Sequence, residues 1–179
     1  RESFRLGALA LQPDFAGEST EAEALACFER ACALAHPGQR MEERIGRLLV
    51  EVGRLELASP YLDRALAKNP SLELALLSAQ TAASVDDPGA VTRGYAAAIR
   101  LAPSLAAPRN QLAYYFALKG IRLDEAEALV LQAIEMTPPH EREALAAYYD
   151  TLAWVYYKMG RLRSAWEAMQ RVPPGGEIV

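Results

Sequence analysis

Apolar and polar positions along this chain follow the 3.6-residue period of amphipathic helices, and the pattern returns about every 34 residues. A small–large–small frame marks each return: Ala24/Phe28/Ala31, Ala58/Leu62/Ala65, Val91/Tyr95/Ala98 and Ala126/Val130/Ala133. Pro37, Pro70, Pro103 and Pro138 close these segments, and a fifth copy, Ala165/Met169/Val172, lies near the end of the chain. In the clearest copy, Ile45, Leu48, Leu49 and Val52 stand at helical spacing, and Gly53-Arg54 makes a turn. A second helix then carries Ala58, Leu62, Ala65 and Leu66 until Asn69-Pro70 stops it, because proline disfavours helical geometry in the residue before it. Each copy therefore predicts two antiparallel helices. Gly46, Ala58 and Ala65 would let the backbones approach, with Leu49 and Leu62 filling the space between them.

The other copies vary this plan. In the third, Asp87-Pro88 suits an N-cap followed by the first helical position. The fourth has a longer turn, Gly120 to Asp124, with Asp124 as its expected cap. A linker from Pro139 to Ala146 precedes the fifth and is placed to extend that copy's first helix backwards. The first copy is degraded: Leu6, Leu9 and Leu11 suggest a helix, Pro13 to Ser19 replaces the tight turn, and Thr20 with Glu23 forms a capping box. Pro60 falls inside the second helix of the second copy and should push its start later. The expected organisation is a single all-α array of about five units, near 4–37, 39–72, 73–105, 106–140 and 146–172, followed by a tail at 173–179.

These residues resemble the tetratricopeptide repeat (TPR) family, helix–turn–helix units of about 34 residues. The resemblance rests on Ile45-Gly46, Leu49, Ala58, Leu62 and Pro70, and on Leu112-Ala113, Phe116, Ala126, Val130 and Pro138. Tyr149, Leu152-Ala153, Tyr156, Ala165 and Met169 repeat it. The stretches Asn110 to Tyr114, Leu123 to Ala126 and Asp150 to Tyr157 look most like bacterial TPR proteins. It covers about four-fifths of the chain, and it departs at Glu42 and Arg109, where the family opens with a tryptophan-like residue. Pro173 arrives early, so the last helix looks truncated. The resemblance implies an α-α superhelix whose first helices line a concave groove for a peptide or protein segment.

Helical phase then names groove candidates: Arg40, Glu43 and Arg47; Leu74, Leu77 and Thr81; Asn110, Tyr114 and Ala117; Asp150, Trp154 and Tyr157. Tyr114, Trp154 and Tyr157 are the sharpest, since exposed aromatics beside polar groups make interface anchors. Packing between adjacent units is the competing role for the same rings. Glu43 stands between Arg40 and Arg47 and weakens any pull on an acidic peptide. The family's carboxylate clamp is not expected, because the matching positions lack the lysines and one asparagine.

Hydrophobic residues make up 51% of the 179 and charged residues 23%, enough to bury a core. The net charge of -4 argues against a nucleic-acid surface, and no apolar run is long enough to predict a membrane span. Cys27 and Cys32 point in different directions on one predicted helix, so free, half-buried thiols and a cytoplasmic setting are expected. A chain opening at Arg1 reads as a piece of a longer protein. His36 and His140 fall in loops, with no phosphate loop, metal spacing or nucleophile elbow nearby. No cofactor, metal or catalytic residue is expected. The function implied is a non-catalytic scaffold for a protein or peptide. A homo-oligomerisation module, using Trp166 and Met169 on an exposed end face, and a regulatory domain of a larger protein remain open.

Overall fold

The computed structural model describes residues 2–10 and 18–172. Among them lie ten α-helices in antiparallel pairs, and no strand. The pairs are α1 (Glu2–Ala10) with α2 (Glu18–Ala33), and α3 (Met41–Glu51) with α4 (Leu55–Lys68). They continue with α5 (Leu72–Ser84) and α6 (Pro88–Leu101), α7 (Ala107–Lys119) and α8 (Leu123–Met136), and α9 (Arg142–Lys158) and α10 (Leu162–Met169). The all-α, helix–turn–helix fold class read from the sequence is the one adopted. The chain divides into two compact units, 1–94 and 95–179, with the boundary inside α6.

The repeating frame is the core. Ala24, Phe28, Ala58, Leu62, Val91, Ala98, Ala126, Val130 and Ala133 are all completely buried. Close approach is visible at Gly46, where a Cβ would sit 2.6 Å from Leu62 Cδ2 and 3.3 Å from the Leu62 amide nitrogen. Helix ends also follow the sequence signals: α4, α6 and α8 each stop two residues before Pro70, Pro103 and Pro138. Asp87 caps α6 through a 2.9 Å bond from the Ala90 amide to its Oδ1, with Pro88 opening the helix. Gly53 turns α3 into α4 with φ of 74°, a region that disfavours side chains. In the third hairpin Asp86 adopts the same left-handed form, with φ of 58°. α9 begins at Arg142, extended backwards over part of the linker.

Four local expectations need correction. α4 starts at Leu55 despite Pro60, which sits on the exposed side and forgoes only one intrahelical bond near the first turn. α8 starts at Leu123 behind Arg122 in a left-handed conformation, so Asp124 lies in the first turn rather than at the cap. There its charge still complements the helix dipole. α2 begins at Glu18, which places Thr20 inside the helix instead of at its cap. In the fifth copy Ala165, Met169 and Val172 are only half-buried, and Ala168 is the buried residue of α10. No described element lies beyond α10 to cover the other positions. Leu11, most of the Pro13 to Ser19 connection, Pro173 and the tail at 173–179 lie outside the described residues.

Candidate functional site

In the second unit, α7 and α9 touch each other as well as their partners α8 and α10. Each buries a main stripe against its neighbours. On α7 Leu112, Ala113 and Phe116 face inward, and on α9 Thr151, Leu152 and Val155 do so. The 3.6-residue period then forces Tyr114 and Leu118 on α7 to share an open face. On α9 the same geometry aligns Asp150, Trp154 and Tyr157. Gly160, with φ of 76°, reverses the chain after α9, and its amide bonds the Tyr157 carbonyl at 2.9 Å. That turn brings α10 back beside α9, with Arg161 Nη1 donating to Glu127 Oε2 of α8 at 2.9 Å.

The result is an open depression of about 500 Å³. Its walls are Tyr114, Leu118, Ala153, Trp154, Tyr157, Ala165, Trp166 and Met169, with Asp150 the one formally charged residue among them. Trp154 and Tyr157 are stacked, ring centroids 5.3 Å apart and planes 17° apart. Lys158 Nζ lies 5.4 Å from the centroid of the Trp154 ring. Both rings remain accessible, Trp154 at 37% and Tyr157 at 55%, while Trp166 reaches 64%. Packing between neighbours therefore accounts for only part of their surface.

The groove candidates separate on the structure. Tyr114, Asp150, Trp154 and Tyr157 come together at the depression. Trp166 and Met169, expected on a separate end face, line the same concavity, because the Gly160 turn folds α10 toward α9. Leu74, Thr81 and Ala117 are buried. Asn110 is only 7% exposed, and its Oδ1 has no hydrogen-bond partner among the described residues. Phase alone understates burial on first helices such as α7, which pack against more than one neighbour. Leu118 was missed, although it stands four residues after Tyr114 on one face.

In the first unit, Arg40, Glu43 and Arg47 on or beside α3 form a local charge network. Glu43 lies 3.8 Å from Arg40 and 3.1 Å from Arg47, and Arg47 also reaches Glu73 at 3.0 Å. Partial burial disfavours the Arg47 charge, but the bonds to Glu43 and Glu73 outweigh it and raise its pKa. These guanidiniums are already occupied. Leu77 on α5 is half-buried. Cys27 and Cys32 are free and half-buried, and burial with nearby Glu42 and Glu29 pushes the Cys32 thiol up to about 11. Among the described residues no group of His, Cys, Asp and Glu is placed to hold a metal, and no helix is long and apolar enough to cross a membrane.

Solved structures share this fold. YrrB, a TPR protein with an unusual peptide-binding site, superposes with a TM-score of 0.64 at 19% identity, over 84% of this chain and 75% of its own. A MamA structure (MSR-1) gives 0.64 at 17% identity, covering 95% and 92%. MamA from Desulfovibrio magneticus RS-1, residue 41 to its end, gives 0.62 at 15% identity, covering 96% and 94%. No family model matches the chain, and no curated protein is similar to it in sequence. At these identities the likeness is one of fold.

Proposed function

We propose that this chain is a non-catalytic interaction module whose second unit receives a segment of another protein in the depression between α7, α9 and α10. The observation that carries this reading is the convergence of Tyr114, Trp154, Tyr157 and Trp166 on one concavity while each stays more than a third exposed. Large rings left in water and held by packed helices are preorganised anchors, since little side-chain freedom remains to be lost on binding. YrrB, with the same fold, has a peptide-binding site, which agrees with a binding role. The Arg40–Glu43–Arg47 network is a weaker candidate surface, because its charges satisfy one another.

The test pairs wild type with Tyr114→Ala/Trp154→Ala. A protein recovered on immobilised wild type is purified and titrated against both forms. Loss of a hot-spot aromatic costs about 2 kcal/mol, or roughly thirty-fold in affinity. The double variant should bind at least that much more weakly while keeping its far-ultraviolet circular dichroism. Equal affinities would refute the assignment.

Self-association is the second reading, favoured by the exposure of Leu162 and Trp166, both 64%, on α10. Because Trp166 and Trp154 line one depression, the two readings compete for one surface. Stoichiometry separates them. A light-scattering mass of twice 19.6 kDa that Trp166→Ala halves supports self-association.

A further inference from the structure

We infer that the depression on the second unit selects a segment in which a lysine or arginine is flanked by apolar side chains, and that Asp150 sets this preference. The inference rests on the reading of the depression as a protein-binding site and adds the chemistry of its occupant. Asp150 is half-buried, and it is the single formal charge among the lining residues. Its carboxylate makes no hydrogen bond or ion pair with any described residue. Other half-buried carboxylates of this chain are matched: Glu43 with Arg47, Glu42 with Lys68, Asp63 with Arg93, and Glu127 with Arg161. Asp150 stands apart from them.

A wholly apolar occupant would cover this carboxylate and strip its water without replacing it, which is costly for a charge. An acidic occupant would add repulsion. A cation resolves both problems, and the surrounding rings favour it further, since the faces of tryptophan and tyrosine attract ammonium and guanidinium groups. The chain already supplies an example in Lys158, whose Nζ lies over the Trp154 ring. The volume of about 500 Å³ far exceeds a bare ion. Its apolar walls suit the methylene stem of lysine or arginine and the apolar neighbours on either side.

Random heptapeptides displayed on phage are selected on the full chain and counter-selected on Tyr114→Ala/Trp154→Ala. The consensus peptide is then titrated by intrinsic fluorescence, which reports on this site because both tryptophans of the chain line it. The expected consensus carries one lysine or arginine between apolar residues. Replacing that residue by norleucine should weaken binding to wild type at least tenfold, and Asp150→Asn should erase the difference. The norleucine peptide keeps the question open to measurement even if Asp150→Asn folds poorly. An apolar or acidic consensus, or a basic one indifferent to Asp150→Asn, overturns the role of Asp150 while leaving the depression a binding site. Failure to recover any peptide that separates wild type from the double variant overturns both. A dimer that Trp166→Ala dissociates overturns the inference in favour of a second copy as occupant.

Discussion

Gly94→Ala should destabilise the chain even though alanine is the better helix former. Gly94 lies in α6 where that helix crosses α5, and a Cβ added there would meet Ala79 at 2.8 Å from its nitrogen, 2.9 Å from its Cα and 2.8 Å from its Cβ. Comfortable carbon contacts begin near about 3.5 Å, so the two helices must part by roughly 0.5–1 Å. No rotamer change can help, because the atoms met are backbone and a methyl group. A gap of that size forfeits about a quarter to a half of each dispersion contact along the seam, where Ala75, Ala79, Ala82 and Val91 are fully buried. Overpacking costs about 1–3 kcal/mol. Three contacts under 3.0 Å, two of them to backbone atoms, put this site in the upper part of that range, at about 2–3 kcal/mol, of which the helix-propensity gain returns about 1 kcal/mol. The net loss is expected at about 1–2 kcal/mol. Urea unfolding followed by circular dichroism at 222 nm measures it. With a slope of about 2 kcal/mol/M, the midpoint should fall by roughly 0.5–1 M at unchanged slope. A midpoint equal to or above wild type would show that the α5–α6 seam yields, and would refute this account of its packing.

Two further outcomes follow from local geometry. Gly53→Ala meets no atom within 4 Å yet keeps φ near 74°, so its cost is backbone strain alone. About 1 kcal/mol is expected after the unfolded-state gain, seen as a Tm lower by about 2–4 °C, and an unchanged Tm would contradict it. Cys32, with its thiol pushed up to about 11 by burial and the charges of Glu42 and Glu29, is almost entirely protonated at neutral pH. In a Cys27→Ser background its alkylation by iodoacetamide should keep rising about tenfold per pH unit through pH 9 and 10, levelling only at about 11, and a plateau already reached by about pH 10 would disprove the shift.

Much of the fold was legible because its determinants are local and repeated. Alanine at Ala58, Ala65, Ala126 and Ala133 permits close helix approach, and Pro70, Pro103 and Pro138 end helices wherever they fall. What stayed hidden depends on neighbours. Pro60 looks like a breaker in sequence, but its ring faces solvent and the helix runs through it. Gly94 looks like a helix weakness, and only the approach of Ala79 shows that glycine is required there. The exposure of Tyr114, Trp154 and Tyr157 could be read from phase, because each follows the buried stripe of its own helix. That Trp166 joins them could not, since it depends on how far the Gly160 turn swings α10. Asn110 and Ala117 failed for the opposite reason. α7 has more than one packed flank, so residues just off its main stripe are still buried.

Seams built from alanine and glycine are smooth, and smooth apolar surfaces do not by themselves specify how far one hairpin slides along the next. The directional element here is a set of arginine–carboxylate pairs spaced about one repeat apart. Arg64 bonds Glu29 across 35 residues, Arg93 bonds Asp63 across 30, and Arg161 bonds Glu127 across 34, with nitrogen–oxygen distances of 2.8, 2.9 and 2.9 Å. Each joins the second helix of one hairpin, or the turn leading into it, to the second helix of the hairpin before. Exposed pairs of this kind contribute about 0–1 kcal/mol apiece, too little to explain why the chain folds. A one-turn slip of a hairpin would separate the partners by about 5 Å and leave these pairs unmade, which is a penalty of specificity rather than a gain in stability. The depression depends on that register. Tyr114 and Trp154 stand on successive first helices, and they face one concavity only while the hairpins carrying them keep the offset that Arg161 and Glu127 help to set.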